Sequence, residues 1–354
     1  MGSVSPLLAV AEALLADQSS HYEFLWIGTH TGPEKKVIEE AGISFVAISS
    51  GKFRRYVSFQ NVFDVVRVLK GYWQAKKIVA EFRPDIVLTA GSFVCVPVVK
   101  AAYHLNVPYM IHQQDVVPGL ANKLMAKNAA RITVSLEGSL AHYSKEKTVL
   151  TGNPFRAVVA AGDKNRARKF FGFEEDDILT VLFIAGGTGA QALNEMVVED
   201  LLQLTNKYQV IHITGKGKRI PPEKQPKLPP FARERYRQVE FLYGELKDAF
   251  LLADLVVSRA SFSTLTELAY LGKSVVLIPM PSSHQVQNAT WFKSNNAAVV
   301  LSQKTLTAQR LFDVIDELMQ KPGERAFIAR NIETLVQKDA TQRFIAEMMR
   351  VLGR

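Results

Sequence analysis

Cysteine is nearly absent: Cys95 is alone among 354 residues. One thiol excludes an internal disulfide and any cysteine-based zinc site, and it suits a reducing compartment. No apolar run reaches the ~18 residues that a membrane-spanning helix requires. No charged-then-apolar leader precedes a cleavage site, so the sequence predicts a cytoplasmic chain that does not cross a bilayer. Heptads, low-complexity tracts and repeats of solenoid period are missing. So is the G-x-x-x-x-G-K-[ST] pattern of a P-loop, and no Asp-x-Asp triplet is present to bridge a metal to a diphosphate. Acidic residues are the scarcer sign, 34 against 43 basic, for a net charge of +9 and a pI near 9.4. That balance admits nucleic acid, anionic lipid or phosphorylated substrates as partners. Without stacking aromatics or a recognised binding motif, nucleic acid is the weakest of the three.

What is present is a regular alternation. Hydrophobic residues make up 47% of the chain, and its length favours two domains. Short β-branched runs at 22–29, 43–49, 84–91, 107–113 and 131–136 read as strands, with helices at 5–16, 33–41, 58–82, 93–105 and 118–128. A second series of strands follows at 179–187, 208–217, 238–244, 253–260, 273–280 and 297–302. This order predicts an α/β protein of two doubly wound parallel sheets facing a cleft, with ligands at the carboxyl ends of the strands. The break falls at "LTGNPFRAVVAAG". The opening "MGSVSPLLAVAEALL" is irregular, because its helix has no strand before it. Pro6 suits the first helical turn, and Ser3 or Ser5 is expected to cap it.

Two segments carry chemistry. "FIAGGTGAQALNE" (183–195) is strand, glycine-rich turn and helix; Gly186, Gly187 and Gly189 let backbone approach a ligand, and the free helix amides suit a phosphate. It does not match G-x-G-x-x-G, which gives a nicotinamide site little support, and an ordinary tight turn explains it equally well. "SRASFSTLTELAYLGKSVVLIPMPSSHQVQNA" (258–289) places Arg259, Ser261, Ser263 and Thr264 at a strand–helix turn. Glu267 follows inside the helix, and His284, Gln285 and Asn288 begin the next helix. Hydroxyls and amides there suit a diphosphate and a carboxylate suits ribose hydroxyls. Glu267 as a helix-dipole partner and Gln285 as a solvated loop residue are the plainer alternatives.

Taken together, "PDIVLTAGSFVCVP", "IHQQDVVPGLANKLMAK", "LTGNPFR", "AGGTGAQALN", "SRASFSTLTELAYLGK" and "HQVQNA" resemble the MurG family of glycosyltransferases. These are enzymes of the GT-B fold that move N-acetylglucosamine (GlcNAc) from UDP-GlcNAc to lipid I in peptidoglycan synthesis. The resemblance implies an acceptor and membrane-facing domain at 1–157, completed by a C-terminal helix at 339–354, and a donor domain at 158–338. It implies donor contacts at Arg156, Gly187, Thr188, Gly189, Ala190, Gln191, Asn194, Tyr243, Arg259, Ser261, Ser263, Thr264, Glu267, His284, Gln285 and Asn288. The acceptor side corresponds to Gly2, Ser3, Gly91, Ser92, Phe93, Gln113 and Asn122, with His112 and Asp115 as candidate bases. Gly2 matches the end of the family's first glycine-rich loop and Ser3 stands where the family carries His. The first strand and most of that loop are therefore expected to be missing. "GGTGA" is one residue shorter than the family's usual G-G-S-Q-G-A.

No metal and no cofactor are expected, since helix N-termini and Arg259 suit the leaving diphosphate. The implied partners are UDP-GlcNAc and an undecaprenyl-linked acceptor at the cytoplasmic face of the membrane, with peripheral attachment. The segment 51–77 supports the attachment: it holds seven basic residues and one acid, and its apolar arc is wider than one core face needs. A core helix with solvated lysines is the alternative. Two rival functions remain, a UDP-GlcNAc 2-epimerase-like isomerase on the same fold and a truncated nucleotide-sugar-binding protein without activity.

Overall fold

The computed structural model describes residues 2–17, 20–32, 34–51, 60–175, 177–186, 189–242 and 244–354. The chain forms two compact units, Met1–Arg156 with Gln337–Arg354, and Ala157–Val336. Each is a parallel α/β layer structure.

In the first unit the elements run α1 (Ser5–Ala16), β1 (Leu25–Thr29), α2 (Glu34–Glu40), β2 (Ser44–Ile48), α3 (Gln60–Phe82), β3 (Val87–Thr89), α4 (Cys95–His104), β4 (Tyr109–Gln113), α5 (Leu120–Ala126), β5 (Arg131–Val134) and β6 (Thr148–Leu150). Strands β3, β4, β5 and β6 form one parallel sheet in that order, whereas among the described residues β1 and β2 pair with each other alone. The sheet is therefore in two pieces. Helix α1 lies over both pieces. Val4, Leu8 and Ala11 pack toward Trp26 and Phe45 beside the first piece. Val10 and Leu14 pack toward Leu88 and Met110 beside the second. Pro6 occupies the first turn as expected, but no serine caps this helix: Val4 is the cap residue and makes no side-chain hydrogen bond.

The second unit runs α6 (Lys164–Phe171), β7 (Thr180–Ile184), α7 (Gln191–Glu199), α8 (Leu201–Lys207), β8 (Gln209–Ile213), α9 (Pro230–Glu234), β9 (Tyr236–Val239), α10 (Leu246–Leu252), β10 (Leu255–Ser258), α11 (Phe262–Tyr270), β11 (Val275–Leu277), α12 (His284–Ser294), β12 (Val299–Val300), α13 (Ala308–Gln320) and α14 (Pro322–Thr334). Its six parallel strands lie in the order β12-β11-β10-β7-β8-β9. Every residue of β7, β8, β10 and β11 is buried. Helices cover both faces of such a sheet, which is why these strands read as unbroken apolar runs rather than alternating ones. Val181, Phe183, Val257 and Val276 meet Leu311, Ile315 and Leu318 of α13 in one core.

The final helix α15 (Ala340–Leu352) returns to the first unit. Phe344 and Met348 pack on Met110, and the buried Glu347 carboxylate pairs with Arg131 at 2.8 Å and with Arg350. Strand β6 is the one strand that periodicity did not announce. With three residues beside a glycine–proline break, it has no pattern of its own and forms because β5 offers an edge.

Candidate functional site

In the second unit the strand order reverses between β7 and β10. Loops leaving two such neighbouring strands diverge to opposite sides, and the crevice between them is where open parallel sheets bind ligands. The loop after β7 passes Gly186 and Gly189, both at positive φ, and enters α7. Gly189 has no substitute here: a Cβ would stand 2.0 Å from the Thr214 carbonyl oxygen. Asn194, one turn into α7 and buried, donates to that same carbonyl at 3.0 Å. Its Oδ1 lies 3.0 Å from His212 Nε2, and His212 Nδ1 lies 3.0 Å from the Tyr236 hydroxyl. Burial pushes the His212 imidazole down to about 3, so it is held neutral. This chain pins the helix start beneath the glycine turn. Gln191 pairs with Glu195 at 2.8 Å on the exposed side, and Ala190 is buried as the cap residue. Gly187, Thr188 and Tyr243 lie outside the described residues.

The loop after β10 carries Arg259, which is only 9% exposed. Its Nε has no hydrogen-bond partner among the described residues. An unpaired buried guanidinium N–H is costly, and an anion would relieve it. Ser261 stands at the cap position of α11 without a side-chain capping bond, its hydroxyl 3.4 Å from that of Ser263; Thr264 and Glu267 follow at half-buried positions on the same helix. Asn288 of α12 is fully buried and donates to the Ala260 carbonyl at 3.2 Å, tying the loops after β10 and β11 together. Ser283 caps α12, accepting from the Gln285 N–H at 3.3 Å. Gln285 Oε1 accepts from the Met280 N–H at 2.9 Å, and His284 stands exposed at the helix start.

In the first unit, the loop after β3 turns through Gly91 and Ser92, both at positive φ (91° and 102°). A serine held there is backbone strain, and such strain concentrates at ligand-binding loops. The Gly91 N–H donates to Thr89 Oγ1 at 3.2 Å, and Phe93 leads into α4. At the end of β4, Asn122 Nδ2 donates to Gln113 Oε1 at 2.7 Å, Tyr143 donates to the same oxygen at 2.9 Å, and Gln113 Nε2 donates to the Asp115 carbonyl at 2.7 Å. Ser139 donates to that carbonyl as well, at 3.2 Å. The backbone at Asp115 is thus held from two sides while the residue itself stays half-buried. Gly2 lies in the exposed turn before α1, and Ser3 is half-buried beside it.

Two candidates sit differently from the expectation. His112 is fully buried. Its Nε2 is 2.9 Å from Asn153 Oδ1 and its Nδ1 is 2.9 Å from Thr133 Oγ1, so both nitrogens are spoken for. Desolvation pushes the imidazole down to about 4. Both ring nitrogens are thus tied into the fold between β4, β5 and the segment after β6. Arg156 belongs to the first unit, where its Nε and Nη2 donate to Glu12 at 2.8 and 2.7 Å in a two-pronged pair. That pair anchors the end of the unit to α1 and uses the fork that a nucleotide contact would need. Glu12, Asn153, His212 and Tyr143 were not singled out by sequence reasoning; a polar residue within an apolar strand, as in "VIHIT", is the only signal any of them leaves.

Comparison with known proteins bears on the whole chain. Residues 1–134 match the Glycosyltransferase family 28 N-terminal domain and residues 180–344 the Glycosyltransferase family 28 C-terminal domain. A Bacillus cereus protein named UDP-N-acetylglucosamine--N-acetylmuramyl-(pentapeptide) pyrophosphoryl-undecaprenol N-acetylglucosamine transferase 2 is 36% identical over 324 residues, covering 90% of this chain and 89% of the relative. Among solved structures, Acinetobacter baumannii MurG superposes with a TM-score of 0.73 at 24% identity, over 98% of this chain and 96% of that one. The UDP-GlcNAc 2-epimerase of Neisseria meningitidis, solved with UDP-GlcNAc bound, gives 0.69 at 12% identity over 98% and 96%. Both structures share the fold, and the sequence identity to the first relative goes further: the chain belongs to the MurG family of UDP-N-acetylglucosamine--N-acetylmuramyl-(pentapeptide) pyrophosphoryl-undecaprenol N-acetylglucosamine transferases.

Proposed function

We propose that the protein is an inverting glycosyltransferase that moves GlcNAc from UDP-GlcNAc to the MurNAc 4-hydroxyl of lipid I, forming lipid II. The observation that carries this reading is the paired loops at the β7/β10 reversal, with two helix N-termini and an unsatisfied buried Arg259. In this reading the amides at the start of α7 and α11 and the Arg259 guanidinium hold the diphosphate. They gain most as negative charge grows on the departing UDP, which is the differential stabilisation that lowers a barrier. Glu267 takes the ribose hydroxyls. His284 meets the sugar, and Gln285 and Asn288 hold the loop that carries it.

The acceptor hydroxyl must lose a proton as it attacks the sugar carbon. Asp115 is the residue we assign to that step, because its backbone is fixed by Gln113 and Ser139 while His112 is fully buried. A positioned base of this kind contributes ~10²–10⁴ in rate. Gly91, Ser92 and Phe93 form the acceptor loop beside it.

Peripheral attachment to an anionic membrane surface is the second part of the reading. Residues 52–59 of the basic segment lie outside the described residues. Within α3, Leu69 and Trp73 are 56% and 64% exposed, and Lys76 lies over the Trp73 ring at 5.4 Å. Gly71, Ala75 and Val79 face the core, so the helix buries one stripe and presents an apolar, basic one. The core-helix alternative accounts for the first stripe but not the second.

The decisive assay is transfer of radiolabelled GlcNAc to lipid I, run beside an incubation of UDP-GlcNAc without acceptor. Lipid II in the first and unchanged UDP-GlcNAc in the second are expected. Epimerised sugar without acceptor would replace this reading by the isomerase, and UDP binding with neither product would leave a binding protein.

A further inference from the structure

Helix α7 starts without the usual support. A Ser, Thr, Asp or Asn at the cap position normally accepts from the first amides and fixes the start of a helix. Here the cap residue is Ala190, which makes no such bond, and Gln191 turns to the exposed side to pair with Glu195. The start is held from inside the fold instead. Asn194, one turn in, is 1% exposed, and so is His212 on β8. Side chains alternate along a strand, so His212 shares a face with Val210, which packs in the core that holds Leu193 and Val197 of α7. A polar ring on that apolar face needs partners, and it has two.

The last member of the series fixes the direction of every bond in it. A carbonyl oxygen only accepts, so Asn194 turns its Nδ2 to Thr214 and its Oδ1 to His212. His212 then carries its proton on Nε2, which leaves Nδ1 to accept from the Tyr236 hydroxyl. Three donors point the same way, from β9 through β8 and α7 to the loop after β8, and bonds in such a series reinforce one another. The Thr214 carbonyl they reach is the one that Gly189 packs against, with room for a hydrogen and none for a Cβ. Thr214 and Gly215 are fixed in turn, their N–H groups donating to the Val239 and Glu240 carbonyls at 2.9 and 3.0 Å. The glycine turn thus rests on a floor whose place relative to α7 is set through one buried amide side chain.

We propose that His212 and Tyr236 are positioning residues for the donor loop, acting through Asn194 to hold the glycine turn and the start of α7 in register with the loop after β8. The inference rests on the donor reading above for what that turn holds. A displacement of about 1 Å at such a site costs about 10²-fold, so a ring that touches no ligand governs affinity here.

Two substitutions separate the two nitrogens of the ring. The amide nitrogen of His212→Gln stands near the place of Nε2 and still donates to Asn194, whereas His212→Asn reaches only as far as Nδ1, toward Tyr236. Amide exchange at Gly189 and Asn194, both hydrogen-bonded in the fold, reads the turn without ligand. Val256 and Val257 of β10 serve as the internal reference for global stability. Calorimetry reads UDP affinity. His212→Asn and His212→Leu are expected to speed exchange at Gly189 and Asn194 by about tenfold beyond any change at the reference amides, and to weaken UDP binding by about tenfold or more. His212→Gln should recover most of both losses. A double variant, Asn194→Ala with His212→Leu, should bind UDP about as well as Asn194→Ala alone, because the ring acts through that amide. Equal behaviour of the Gln and Asn variants would overturn the proposal, and so would additive losses in the double variant. If the parent binds no UDP, the donor reading falls, and the exchange data still uphold or overturn the positioning role.

Discussion

Burial of His112 makes a quantitative claim about acid stability. The ring is fully buried between Asn153 and Thr133, and desolvation lowers its pKa from 6.5 to about 4. Below pH 6.5 the unfolded chain takes up a proton that the folded chain refuses until about pH 4. Stability conferred by the neutral ring is therefore fully present above 6.5 and is lost as pH falls through this window. The loss is about 1.4 kcal/mol per pH unit and totals about 3 kcal/mol. Other groups titrate there too, so the useful quantity is a difference. His112→Gln keeps a neutral donor and acceptor but cannot titrate. At pH 7.5 the variant should be less stable than the parent by roughly 1–3 kcal/mol, the cost of an imperfectly replaced buried hydrogen-bonded group. By pH 4 the parent's loss of about 3 kcal/mol should close that gap or reverse it by up to about 2 kcal/mol. Urea unfolding followed by tryptophan fluorescence measures it, in a Trp291→Phe background so that only Trp26 and Trp73 of the first unit report. A gap that stays constant from pH 7.5 to 4 would refute the buried, neutral assignment and return His112 to the list of candidate bases.

Four other outcomes are expected. Glu267→Ala should weaken UDP and UDP-GlcNAc binding by tenfold or more in calorimetry, the scale of hydrogen bonds to a charged acceptor, with or without a chelator present; unchanged affinity would remove Glu267 from the ribose. Asp115→Asn should lower kcat by ~10²–10⁴ while KM for UDP-GlcNAc moves by less than about threefold, and an active variant would send the search for the base elsewhere. Gly189→Ala pushes a methyl group against the Thr214 carbonyl at a positive φ, so it should reduce both UDP affinity and the thermal midpoint; a neutral result would show that the turn yields more easily than the geometry allows. Replacing Lys70, Lys76 and Lys77 by Glu should cut sedimentation with anionic vesicles at least about a hundredfold, given ~1 kcal/mol per basic residue, with UDP affinity intact. Equal sedimentation of parent and variant would end the membrane-face proposal.

Local sequence determined the elements because their causes are local. Short apolar runs rich in β-branched residues, such as "TVLFI" and "LVVS", read as strands buried on both faces, and the spacing of Leu311, Ile315 and Leu318 fits one face of a helix. Glycines and hydroxyl residues at strand ends marked the loops proposed to hold the donor for the same reason: the turn and the helix start are built within a few residues of one another. Tertiary structure decided whatever depends on a partner far along the chain. Arg156 is claimed by Glu12, 144 residues away, and His112 by Asn153, 41 residues away; neither pairing leaves a trace in the spacing of its own segment. Strand β6 needed the edge of β5 before its three residues could be a strand at all. The opening "MGSVSPLLAVAEALL" shows both halves of the division. Its pattern announced the helix, but only the fold revealed what that helix packs on, Trp26 and Phe45 on one side and Leu88 and Met110 on the other, because packing is a property of neighbours in space.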